Sequence, residues 1–191
     1  MAKIAKYSYL SNLSADALSA VYRSAGVDYP KFFKMDALCK AGFLLAEDIV
    51  RGCGNPPLAP DDTSVVVFTA SGTYLTDVAF ENTISDPDNC FPSPSVFVYS
   101  LPNIVAGEIA IRHGFTSETA VYLSPDFPPS QIADIVSDTL TVASNVLVAW
   151  IEVTGNHPSA IMFLVLRNGN DDMLDFNAEE LEEIYNQCFG K

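Results

Sequence analysis

The segment Ser64-Val65-Val66-Val67-Phe68-Thr69-Ala70 constrains the fold more than any other stretch of this chain. Successive side chains of a strand point to opposite faces of a sheet, so a continuous apolar, β-branched run leaves neither face for water. Such a strand has to be covered on both sides, in a mixed or parallel sheet flanked by helices. Ser71-Gly72-Thr73 supplies the turn that leaves it.

The flanking sequence fits that requirement. Residues 3 to 9 read as a first strand, and Ser14 caps a helix that runs to about Gly26. Asp36 to Val50 is the clearest helix, with Met35, Leu38, Cys39, Gly42, Phe43, Ala46, Ile49 and Val50 at three- and four-residue spacing until Gly52 and Gly54 stop it. A short helix is expected near Thr76 to Ile84, then a loop from Asp86 to Pro92 through Asn89, then a helix opened by Pro102 and ended by Gly114. Thr119 to Ser124 reads as a strand, and Pro128-Pro129 opens a helix with Ile132, Ile135, Val136 and Leu140 on one face. Asn145 to Thr154 and Ser159 to Arg167 read as two strands joined by the hairpin Gly155-Asn156-His157-Pro158. A last helix begins at Asn177 with a capping box closed by Glu180. The order β-α-β-α-β-α-β-β-α defines an α/β class, a mixed central sheet covered by helices whose final strands pair antiparallel.

With 191 residues the chain is read as a single domain over 1–191, large enough to bury roughly two thirds of its unfolded surface. No apolar run approaches the ~18 residues that span a bilayer, and the start lacks the apolar core of a secretory signal, so the expected compartment is the cytoplasm. Cys39, Cys53, Cys90 and Cys188 are scattered without metal-ligand spacing and read as buried or incidental thiols; no metal and no cofactor is expected. Ten Lys and Arg against 24 Asp and Glu leave a net charge of −14, which argues against nucleic acid. Seven of those ten bases precede residue 61, opening a basic patch on an acidic body.

Three stretches carry a family resemblance. They are Tyr29-Pro30-Lys31-Phe32-Phe33-Lys34-Met35-Asp36, the strand and turn from Val65 to Thr73, and the segment from Ser93 to Gly114. The third is the most specific, placing Ser93-Pro94, an aromatic stretch, Pro102-Asn103 and a small-residue helix with Gly107 and terminal Gly114 in one order. In these features the chain resembles the N-terminal half of a β-ketoacyl synthase, over about residues 29 to 153, and the fold implied is one half of the thiolase fold.

The resemblance implies a cysteine nucleophile at the sharp turn after the Thr119 to Ser124 strand, where backbone amides and a helix N-terminus favour thiolate and oxyanion. That turn reads Leu123-Ser124-Pro125-Asp126-Phe127-Pro128-Pro129 and holds no cysteine. Asp126 falls at the nucleophile position, where it reads as a helix cap, and Ser124 is a weak candidate nucleophile. His113 reads as a cation facing the end of a helix dipole, and His157 as an exposed turn residue. The implied function is a non-catalytic accessory subunit of a fatty acid or polyketide condensing pathway. Its expected partners are a second copy or a full ketosynthase, with acyl carrier protein disfavoured by the net charge and Lys31 and Lys34 as candidate contacts. The alternatives are a half-enzyme, completed by another chain to act as a 3-oxoacyl-carrier-protein synthase or decarboxylase, and a small acyl-ligand binder using Phe91, Phe97, Tyr99 and Phe127.

Overall fold

The structure, a computed structural model, describes residues 1–53, 57–88, 90–155 and 157–190; expectations for Gly54, Asn89 and Asn156 lie outside them. In chain order the elements are β1 (Lys3–Leu10), α1 (Ala15–Ser24), α2 (Ala37–Gly52), β2 (Thr63–Thr69), α3 (Tyr74–Glu81), α4 (Pro94–Val98), α5 (Ile104–His113), β3 (Thr119–Leu123), α6 (Pro129–Thr139), β4 (Asn145–Glu152), β5 (Ser159–Leu166), β6 (Leu174–Asp175) and α7 (Ala178–Phe189). The sheet has six strands in the order β3-β2-β4-β5-β1-β6. β2 lies parallel to both β3 and β4, and β4, β5, β1 and β6 pair antiparallel in succession. This is the mixed, helix-covered sheet of the thiolase-like half.

Every residue of β2 is buried, as its sequence demands. Val65 and Val67 point to one face with Leu147, Ala149 and Ile151, against a core built by α1, α2 and α5. Val66 and Phe68 point to the other with Val148 and Trp150, against α6 and α7. At α2, a Cβ on Gly42 would sit 2.5 Å from Val105 Cγ2 and 3.1 Å from Ile151 Cδ1. Glycine there lets α5 pack closely against α2.

Ser14, Asp36 and Asn177 cap α1, α2 and α7, their side chains accepting from the amides of Ala17, Cys39 and Glu180. Of the capping box at Asn177 only this half is present. Gly114 ends α5 in the left-handed region, φ +73°. Two expectations shift. Ser93 caps a separate short helix, α4, and Pro102 lies in the turn before α5, which begins at Ile104.

Candidate functional site

The carboxyl ends of the parallel strands β3, β2 and β4 meet at one end of the sheet, the position where open α/β sheets bind ligands. Here β2 gives way to Ser71-Gly72-Thr73, and the turn is fixed from three sides. Glu152, at the end of β4, accepts from the amides of Ala70 (3.0 Å) and Ser71 (2.8 Å), from the Ser71 hydroxyl (2.6 Å), and from the Thr154 amide and hydroxyl. Thr69 Oγ1 accepts from the Gly72 amide, and Thr73 Oγ1 donates to the Ser100 carbonyl at 2.8 Å. Burial works to raise the Glu152 carboxyl, but the hydrogen bonds from Ser71 and Thr154 outweigh it and hold the group below its ordinary value. Glu152 is therefore a charged clamp with its lone pairs spent on backbone amides and the Ser71 and Thr154 hydroxyls, and the sequence reading missed it.

Ser124 follows β3 directly. Its amide donates to the Thr69 carbonyl at 3.0 Å, which extends the ladder by one step, and the residue is 8% exposed. Neither histidine hydrogen-bonds to its hydroxyl. His113 ends α5, before β3 begins, so the length of β3, roughly 3.3 Å per residue, separates it from Ser124. His157 is at the same end of the sheet as Ser124 but is exposed beyond β4.

Asp126 is exposed and does not cap α6, whose N-cap is Pro128, with no side-chain hydrogen bond. The ring that follows decides the turn's conformation. Phe127 stacks on Tyr185 of α7 and meets Trp150 edge-on, and the Trp150 indole N–H and the Tyr185 hydroxyl both reach Ser159 Oγ. A bulky aromatic thus anchors the loop.

The four thiols lie elsewhere. Cys39 is buried in α2, where burial first and the Asp36 carboxylate second push its thiol well up; burial also raises Cys53 and Cys188. Among the described residues no group of three or more His, Cys, Asp or Glu side chains is placed to hold a metal ion. No described helix is long and apolar enough to cross a membrane.

Four of the five lysines before residue 41 are individually engaged. Lys31 Nζ lies 2.6 Å from Glu108 Oε1, whose carboxylate is buried between Tyr29 and Tyr99, and that bond raises the lysine pKa. Lys40 sits over the Phe32 ring, Lys6 pairs with Asp48 and Lys3 with Asp175; Lys34 is exposed. A third buried acid, Glu47 of α2, takes Nε of Arg112 at 2.5 Å and Nη2 at 3.4 Å, while the guanidinium covers the Tyr29 and Phe43 rings. His113 Nε2 is buried, 3.6 Å from Glu47 Oε1, and makes no hydrogen bond. Burial, helped by Arg112 and opposed by Glu47, lowers its pKa, so the residue is not the dipole-facing cation expected from its place at a helix end.

The aromatic set suggested for acyl binding separates in space. Phe91 and Phe97 are exposed, Tyr99 is buried on Glu108, and Phe127 belongs to the opposite face of the sheet. Of the family-motif residues, Ser93 and Pro94 open α4, Asn103 precedes α5, and a Cβ on Gly107 would meet open space.

The architecture defines a class, the mixed, helix-covered sheet of a thiolase-like half. Solved structures share it. The chain is similar to a chain of the ketosynthase (ApeO) in complex with its chain length factor (ApeC) from Xenorhabdus doucetiae, with a TM-score of 0.62, 13% identity, and 88% of this chain and 80% of that one covered. It is similar to the ishigamide ketosynthase/chain length factor (TM-score 0.60, 17% identity, 90% of this chain and 63% of that one). It is also similar to AntDE:AntF, a type II PKS acyl-carrier protein in complex with its ketosynthase bound to the hexaketide (TM-score 0.60, 13% identity, 86% and 62%). The chain thus spans less than two thirds of two of these three, and at such identities the shared property is the fold. No family model matches the sequence, and no curated protein does.

Proposed function

We propose that residues 1–191 act as one unit, a non-catalytic ketosynthase-like accessory subunit of an acyl-condensing pathway, working in the cytoplasm beside a ketosynthase-fold partner. The observation that carries this reading is the turn from Ser124 to Pro128. It stands where the resemblance puts a cysteine, contains no thiol, and is anchored on Tyr185 by Phe127. Without thiolate there is no acyl thioester, and an exposed carboxylate at Asp126 is no replacement for it. What supports a partner is β3, which among the described residues pairs only with β2 and leaves its outer edge open, an arrangement that invites another strand. Two of the similar structures are ketosynthases together with chain length factors. Acyl carrier protein is a weaker candidate, since an acidic partner meets a chain of net charge −14 and Lys31 is already committed to Glu108.

Two measurements test the proposal. Purified protein incubated with acyl and malonyl thioesters should release no condensation product, and a co-expressed full-length ketosynthase should retain the chain through gel filtration. Turnover that disappears in Ser124→Ala or Asp126→Ala would overturn the non-catalytic reading. Failure to bind any ketosynthase tried, by a chain that is also monomeric, would overturn the accessory one.

A further inference from the structure

Away from the turn at Ser124, the carboxyl ends of α1, α2 and α5 meet around a cavity of about 370 Å³ lined by Asp28, Glu47, Val50, Arg51, Arg112 and His113. His113 ends α5 before β3 begins, which puts this cavity at the amino ends of the parallel strands, opposite the end that carries Ser124. The chain has four arginines at a net charge of −14, and two of the four share this wall. Neither guanidinium is used up. Arg51 donates Nη1 to the Ala25 carbonyl at 2.6 Å, and Arg112 gives Nε and Nη2 to Glu47. Arg51 Nε and Nη2 and Arg112 Nη1 have no hydrogen bond among the described residues. A guanidinium with N–H groups to spare matches the paired oxygens of a phosphate or a carboxylate.

The same wall carries an unsatisfied buried group. His113 is only 10% exposed, and its Nε2 makes no hydrogen bond although Glu47 Oε1 lies 3.6 Å away. Glu47 thus stands between two side chains able to neutralise it, and Arg112 holds it at present. Asp28 is exposed on this wall and opposes an anion, whereas the Glu47 charge is already matched by Arg112. Val50 and Val27 supply an apolar rest for the remainder of a small molecule.

We propose that this cavity binds a small molecule by its oxyanion, a phosphate or a carboxylate, held by the free N–H groups of Arg51 and Arg112. Asp28 aside, two guanidiniums against Glu47 leave one positive charge, which a carboxylate matches. A phosphate-type dianion needs one more, and His113 is the group placed to supply it, facing Glu47 and Arg51 of α2, Arg112 of its own helix and Asp28 beyond α1. Dianion binding therefore draws a proton onto His113 and strengthens as the pH falls, while carboxylate binding does not. The test is a titration of the full chain with sulfate, which stays doubly charged, and with acetate, at constant ionic strength. NMR follows the Arg51 and Arg112 Nε–H signals and the His113 ring. Both arginine signals should shift saturably with at least one of the two anions. Arg51→Gln should weaken binding about tenfold, the loss of one charge-assisted contact, and Asp28→Asn, which removes the opposing charge, should tighten it. Sulfate binding that strengthens between about pH 7.5 and 6, and loses that dependence in His113→Phe, marks a phosphate-type ligand. Acetate binding tighter than sulfate and indifferent to pH marks a carboxylate. Shifts that fail to saturate with either anion, or that persist unchanged in Arg51→Gln, would overturn the proposal. If circular dichroism shows Arg51→Gln unfolded, Asp28→Asn decides alone, and weaker binding by that variant would overturn it as well.

Discussion

The rings of Phe127 and Tyr185 lie face to face, centroids 4.1 Å apart and 8° from parallel. The stack ties the turn after β3 to α7, a helix beyond the stretch of family resemblance, and Ser159 fixes the Tyr185 hydroxyl behind it. Phe127→Ala should cost roughly 2 kcal/mol, below the usual loss for a fully buried ring because Phe127 is half-buried. Urea denaturation measures it. A loss under about 0.5 kcal/mol would mean the turn is held by something other than the aromatic anchor.

The Glu47–Arg112 pair crosses from α2 to α5 with its carboxylate only 4% exposed. Arg112→Ala should destabilise by about 3 kcal/mol, since it strands a buried charge, while Glu47→Leu combined with Arg112→Met should lose less than the single change. A double variant as unstable as the sum of its singles would show that the two side chains are not coupled.

His113 and Glu152 both respond to acid. His113 titrates lower in the folded chain than its ordinary 6.5, so below that pH the unfolded state binds a proton that the native state resists, and stability falls. Glu152 is also held low, below its ordinary 4.5, so the stability it contributes is present above that value and drains away as the pH falls through its folded pKa. Denaturation midpoints should decline in two stages, the first beginning near pH 6.5 and absent in His113→Phe. A midpoint that stays flat between pH 7 and 5 would contradict the first stage.

Thiol labelling should separate the cysteines by environment. Cys90 is exposed and should react quickly with iodoacetamide, whereas Cys39, buried and raised by burial and Asp36, should react only on global unfolding. Mass spectrometry of the labelled native protein decides it. Fast native labelling of Cys39 would show that α2 opens locally.

The sheet was legible because its signal is local. β2 is apolar from Val65 to Phe68, β4 from Val146 to Ile151 and β5 from Ala160 to Leu166, and the caps at Ser14 and Asn177 sit where their residue types require. α4 escaped notice because five residues between prolines show no period, and α6 offered Asp126 as a cap that the two prolines made unnecessary. The buried acids were invisible for another reason. Glu47, Glu108 and Glu152 look like surface residues in sequence, and their partners Arg112, Lys31 and Ser71 lie between 65 and 81 positions away. The packing of α5 against α2 and the segment before it, and the parallel pairing of β2 with β4, bring those groups together.

The pairing of β1 has a consequence for how the protein is made. Its register joins Lys3 to Leu166 and Leu10 to Ala160, so β1 finds its neighbour between 150 and 163 residues later in the chain. At ribosomal rates of about 5–20 residues per second, the N-terminal strand waits roughly 10 to 30 s for β5. Through that interval the parallel core of β2 and β3 can form, but the sheet has an extra raw edge, and the non-local closure that follows is the slow kind. Until β5 emerges the chain holds a partly finished sheet, whose unpaired edges are the kind on which aggregation starts.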